Sequence, residues 1–143
     1  VLSTGSGEVS AFAGKYKARA DWITDDGFIW DVKSTAMGLD DETLDKEIHK
    51  RKHHVGAAHY IRVFEQAGVE INGFGWIFVS TGPIPHIRLK TAPLWMLGYG
   101  LLDLRRAMAK LETTQERDEH PGWPDEITEA DLPYWAKRRY ENE

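Results

Sequence analysis

Apolar and polar positions alternate over residues 8–13, 16–23 and 28–33, with Gly14 and Asp25-Asp26-Gly27 as the interruptions. Period-two patterning bounded by turn residues predicts a meander of three short strands. From residue 41 to about 67 the spacing becomes helical, through Leu44, Ile48, Val55, Ala58, Ile61, Val63 and Phe64. Asp40 or Asp41 is the expected N-cap and Gly68 the C-cap. Gly56 costs about 1 kcal/mol relative to Ala inside a helix, so a break or a close backbone approach is expected there. Two more strands, 75–80 and 84–90, are joined by a Gly82-Pro83 turn. A helix then runs from residue 93 to about 111 with Leu94, Leu97, Leu101, Leu104 and Met108 on one face. Past His120, the prolines 121, 124 and 133 among Trp123, Tyr134 and Trp135 read as an ordered strap ending in a charged run. This order predicts one α/β domain over residues 1–143, a mixed central sheet flanked by helices, in which the first helix is the crossover that makes a parallel strand pair possible.

Composition narrows the picture in three ways. Eighteen Lys and Arg against 23 Asp and Glu give a formal net charge of −5, so any nucleic-acid contact has to be local. The absence of cysteine removes disulfides, thiolate metal sites and thiol nucleophiles, and fits a reducing cytoplasm. Apolar runs such as residues 74–79 are far short of the ~20 residues of a membrane span, and nothing near Val1 reads as a signal peptide. A chain opening on Val1 rather than Met also leads us to expect a missing upstream part.

The chemistry concentrates in Ala20-Asp21-Trp22 and Asp31-Val32-Lys33. Alternation on a strand puts Asp31 and Lys33 on one face and turns Val32 toward the core. A three-residue loop Asp25-Asp26-Gly27, with Gly27 left-handed, sets Asp21 opposite Asp31; a two-residue turn pairs Asp21 with Val32 instead. Two close carboxylates suit Mg²⁺, a hard cation with oxygen ligands, and a neighbouring ammonium can orient water and stabilise negative charge on a phosphate. A bare D-x-K spacing is as a rule only a surface ion pair.

The order of these residues resembles the PD-(D/E)xK nuclease superfamily, with Ala20 in place of its usual proline. The closer resemblance is to the phage and prophage exonuclease VIII (RecE-like) nuclease domain. It runs through Glu8-Val9-Ser10-Ala11-Phe12, residues 17–22, Asp31-Val32-Lys33-Ser34-Thr35, His54-Val55-Gly56-Ala57-Ala58-His59-Tyr60, Gly122-Trp123-Pro124 and Leu132-Pro133-Tyr134-Trp135-Ala136. The resemblance implies a restriction-endonuclease-like fold and a Mg²⁺-dependent exodeoxyribonuclease, with Mn²⁺ as an alternative ion. It makes Asp21, Asp31 and the Val32 carbonyl metal ligands and Lys33 the catalytic lysine. Tyr60 matches the tyrosine of a helical Q-x-x-x-Y element whose glutamine is Gly56 here. The resemblance further implies duplex DNA ends as substrate, phage recombination as setting, a ring-like homo-oligomer and a single-strand annealing partner. Family members carry helices ahead of the first strand; none precedes Glu8. Gly56 and that missing segment support an alternative, an inactive module that binds DNA or protein.

Other residues carry two readings each. Glu8 is a candidate metal ligand or a solvated strand end, and Ser34 a phosphate contact or a strand-end cap. His49 and His53, four apart, could share a helix face as zinc ligands, but no H-E-x-x-H accompanies them. The run His49-Lys50-Arg51-Lys52-His53-His54 reads more simply as a basic helical turn, and Lys50, Arg51 and Lys52 with Lys15, Lys17 and Arg19 are the candidate DNA contacts. Trp22 or Trp30 could stack on bases; Trp76 and Trp95 read as core. No phosphate-loop or G-x-S-x-G motif is present.

Overall fold

The protein, seen in a computed structural model, is described over residues 4–118, 122 and 126–140. Its elements are β1 (Gly5–Ala13), β2 (Tyr16–Thr24), β3 (Phe28–Thr35), α1 (Asp41–Lys50), α2 (His53–Gln66), β4 (Gly73–Ser80), β5 (Ile87–Thr91), α3 (Leu94–Arg117) and α4 (Tyr134–Tyr140). The strands form one sheet in the order β1-β2-β3-β4-β5. All neighbours are antiparallel except β3 and β4, which α1 and α2 connect as a crossover and which run parallel. This is the α/β architecture with a mixed sheet that the sequence predicts.

The local chemistry explains most boundaries. The β2–β3 hairpin pairs Trp22 with Trp30 and Ile23 with Ile29, leaving Asp25-Asp26-Gly27 as a three-residue loop. Gly27 sits at φ 79°, and its N–H donates to the Thr24 carbonyl at 2.9 Å. The Asp40 carboxylate accepts from the Thr43 N–H at 2.9 Å and caps α1. At the end of α2, Gly68 turns left-handed at φ 85° and the Val69 N–H returns to the Phe64 carbonyl.

The helical stretch 41–67 divides at Arg51-Lys52 and not at Gly56. Lys52 is left-handed at φ 57° and ends the α1 hydrogen-bond ladder, whereas Gly56 stays helical. The turn before β5 is also longer than Gly82-Pro83. The strand starts at Ile87, after the His86 N–H has bonded the Ser80 hydroxyl.

The core lies between the sheet and the α1–α2 crossover. Ile29, Phe74, Trp76 and Phe78 from the sheet meet Leu44, Ile48, Val63 and Phe64 from the helices, all fully or almost fully buried. Each such side chain contributes about 1.5–3 kcal/mol. Three expectations about burial are corrected. Val32 is 48% exposed, because it points to the face opposite α1 and α2. Leu94 and Trp95 are 87% and 63% exposed. α3 approaches α2 at Gly100, where an added Cβ would stand 2.2 Å from the His54 carbonyl oxygen, and from its first turn Met96 and Leu97, not Leu94 and Trp95, pack against the core.

The chain falls into two compact units, Val1–Glu112 and Thr113–Glu143. In the second, α4 follows Pro133, and Asp131 accepts from Lys137 at 2.6 Å and from the Leu132 N–H at 2.8 Å. Of the predicted strap, Pro121, Trp123 and Pro124 lie outside the described residues.

Candidate active site

Asp31 and Lys33 leave β3 on the helix-covered face, and the Lys33 ammonium lies 2.6 Å from Asp31 Oδ2. The three-residue hairpin loop meets the condition for setting Asp21 across from Asp31. The backbone ladder stops at Trp22 and Trp30, and the Asp21 carboxylate takes over, accepting from the Val32 N–H at 2.7 Å. Asp21 is also absent from the β1–β2 ladder, where its register partner is Glu8. Glu8 is left-handed at φ 56°, uncommon for a residue with a side chain. Core-facing positions run Tyr16, Ala18, Ala20 on one side of Asp21 and Ile23 on the other, so the alternation slips by one residue there. This slip turns Asp21 toward Asp31 without losing the core register on either side.

Burial differs from the solvent-facing site that a surface ion pair would give. Asp31 is 6% exposed. Burial raises its carboxyl above the ordinary value, the Lys33 hydrogen bond and charge oppose that rise, and the Asp21 charge adds to it. The ring of Tyr60, on α2, meets the edge of Phe74 and roofs this face. Burial, and next the Asp31 carboxylate, raise the Tyr60 pKa, so its hydroxyl keeps its proton.

The remaining predicted residues are dispersed. Glu8 is exposed and pairs with Arg19 at 2.9 Å. Ser34 and Lys17 are exposed, and the Lys17 carbonyl accepts from His59 Nε2 at 3.2 Å. Lys50 is exposed at the end of α1, Arg51 pairs with the buried Glu47, and Lys52 lies 3.5 Å from Asp103. The break at Lys52 puts His49 and His53 on different helices, which removes the shared face that the zinc reading needed. Among the described residues no three His, Cys, Asp or Glu gather as a metal-holding group. Trp22 and Trp30 lie on the opposite sheet face, Trp30 flat against Gly75, where a Cβ would stand 2.6 Å from its ring. They pack rather than line the site.

Two residues near the site were not singled out for it. Glu47 is 7% exposed, and His53 senses both Lys33 and Glu47. The signal for His53 was its spacing, seven residues before Tyr60 on the same helix face.

No protein-family profile and no curated protein matches the sequence. Among solved structures, the chain is similar to a "putative exonuclease" from Eubacterium rectale, with a TM-score of 0.71 at 14% identity. The match covers 95% of this chain and 57% of that one. The α/β fold of this chain is shared with the matched part of that structure.

Proposed function

We propose that the protein is a Mg²⁺-dependent DNA nuclease, in its finer form a RecE-like exodeoxyribonuclease that degrades duplex ends. The observation that carries this reading is the Asp31–Lys33 pair at 2.6 Å, with the Asp21 carboxylate fixed beside it on the Val32 N–H at 2.7 Å. The fold shared with an exonuclease-named structure supports it.

The donors fit a hard cation. Asp21, Asp31 and the Val32 carbonyl are all oxygen ligands, and so small a protein set suits Mg²⁺, or Mn²⁺, which keep several waters. When bound there, the ion supplies an acidified water and neutralises phosphate charge. The chain's own residues do the rest. Lys33 presents an ammonium to negative charge developing on the phosphate, and Asp31 fixes its position. Tyr60 keeps its hydroxyl proton and so remains a hydrogen-bond donor. Ser34, Lys17, Arg19 and the 50–52 run are the phosphate contacts, Glu8 an accessory ligand at the edge.

The finer reading also assigns phage recombination, a cytoplasmic location, a single-strand annealing partner and a homo-oligomer around DNA. No described helix is long and apolar enough to cross a membrane. The test is end-labelled linear duplex beside closed circular DNA, with Mg²⁺ and with chelator. Loss of the linear form alone supports an exonuclease; cutting of the circle contradicts it.

Gly56 favours a second reading, a module that binds DNA or protein without cutting. Its signature is retention of DNA with no turnover, and recovery of cleavage in Gly56→Gln.

A further inference from the structure

The wall of the site that faces the sheet comes from α2, and it carries one titratable side chain that the mechanism leaves unused. His53 opens the helix, and Gly56 and Tyr60 follow three and seven residues later on the same face. A Cβ on Gly56 would meet nothing within 4 Å, so no side chain closes the wall between His53 and Tyr60. The His53 ring lies 6.3 Å from the ring of Phe78. Phe78 is the register neighbour of Lys33 across the parallel β3–β4 pair, so the two side chains stand next to each other on the helix-covered face. Asp31 anchors only the tip of Lys33. The flexible stem carries about 2 kcal/mol of rotamer entropy, and something must confine it.

We propose that His53 is a positioning residue of this site: its imidazole, beside Phe78, flanks the Lys33 side chain and keeps it directed toward Asp31. Its catalytic consequence rests on the nuclease reading; the neighbourhood of His53 and Lys33 around Phe78 does not. An imidazolium in the same place repels the ammonium.

The charged groups around His53 are Lys33 on β3, Glu47 on α1, Arg51 at the α1–α2 junction and His54 beside it on α2. Burial, and next Lys33, hold its pKa below the ordinary value of 6.5, against the opposing pull of Glu47. The ring is therefore neutral at neutral pH, and acidification is what would bring the two cations together.

The first arm of the test reads that neighbourhood without any activity. Imidazole resonances of the full-length protein are titrated by NMR, with His53 assigned by its disappearance in His53→Gln, and Lys33→Gln is compared with wild type. Removing the Lys33 charge should raise the His53 midpoint by about half a pH unit or more. An unchanged midpoint in folded Lys33→Gln, or in Lys33→Met should that first variant fail to fold, overturns the proposal.

The second arm reads the role. His53→Ala should lower kcat at pH 7.5 with KM for duplex DNA unchanged, whereas His53→Gln, polar but not titrating, should restore most of that loss and move the acid limb of the cleavage profile to lower pH. An acid limb left where wild type has it overturns the positioning role. A midpoint that answers to Lys33 in a protein that cuts no DNA supports the neighbourhood and overturns the nuclease reading.

Discussion

Asp31 shows how one carboxylate can serve function at the expense of stability. Its folded pKa lies above the ordinary 3.8, with burial as the main cause. The folded state therefore holds this proton more tightly than the unfolded chain does. In the window between the two values the folded state binds more protons, so stability falls as pH rises through that window. At neutral pH the ionised group is a net cost to folding. Asp31→Asn, which keeps a carbonyl for Lys33, should melt at or above the wild-type temperature at pH 7 while losing cleavage. Thermal denaturation paired with a nuclease assay checks this; a clear drop in melting temperature contradicts the assigned cause of the shift. The placement of Asp31 beside Lys33 was legible from D-x-K alternation. Its burial was not, because strand periodicity says which face a residue takes and not what covers that face.

At the scale of elements, two glycines in the helical layer make opposite predictions. Gly56 stays helical and has open space where a side chain would extend, so Gly56→Gln should raise stability by about 0.5–1 kcal/mol through helix propensity alone. Gly100 is the contact between α3 and α2, and a Cβ there would stand 2.2 Å from backbone oxygen. Gly100→Ala should lower stability by about 1–3 kcal/mol. Denaturant titration of both variants measures the pair, and equal effects would contradict this packing. The same two positions show what the sequence conceals. A glycine inside a helical pattern signals a break, a close approach or nothing, and only the neighbouring element decides. The break lies at Lys52 instead, in a run of long basic side chains that periodicity reads as continuous helix. Capping was legible at both ends, since Asp40 and Gly68 act through their own backbone neighbourhood. The hairpin loop was legible for the same reason, and with it the meeting of Asp21 and Asp31. The slip of alternation at Asp21 was not, because it depends on Glu8 adopting a left-handed conformation across the ladder.

For the whole molecule, the net charge of −5 means that the proposed DNA binding would rest on a local set of cations. Arg19, Arg51 and Lys52 are each engaged with a carboxylate, so much of the basic run does not add freely to a positive field. Binding should accordingly weaken with salt on a shallow slope. Lys17→Ala should lower that slope by about one without altering the chemistry of a bound substrate. Fluorescence anisotropy on duplex DNA at several salt concentrations measures it, and an unchanged slope removes Lys17 from the interface. The fold class could be read from element order. The exposure of Leu94 and Trp95 could not, since an apolar helix face looks the same in sequence whether or not another element covers it.

The central claim is that Asp21, Asp31 and Lys33 form a phosphodiester-cleaving site. Its most direct measurement is nucleotide release from linear duplex DNA by the purified wild type and by folded Lys33→Ala, each with Mg²⁺ and with chelator. The account predicts release by the wild type in Mg²⁺ only, and a loss of at least about a hundredfold in Lys33→Ala, the scale of removing one transition-state donor. Equal release by the two proteins would contradict it.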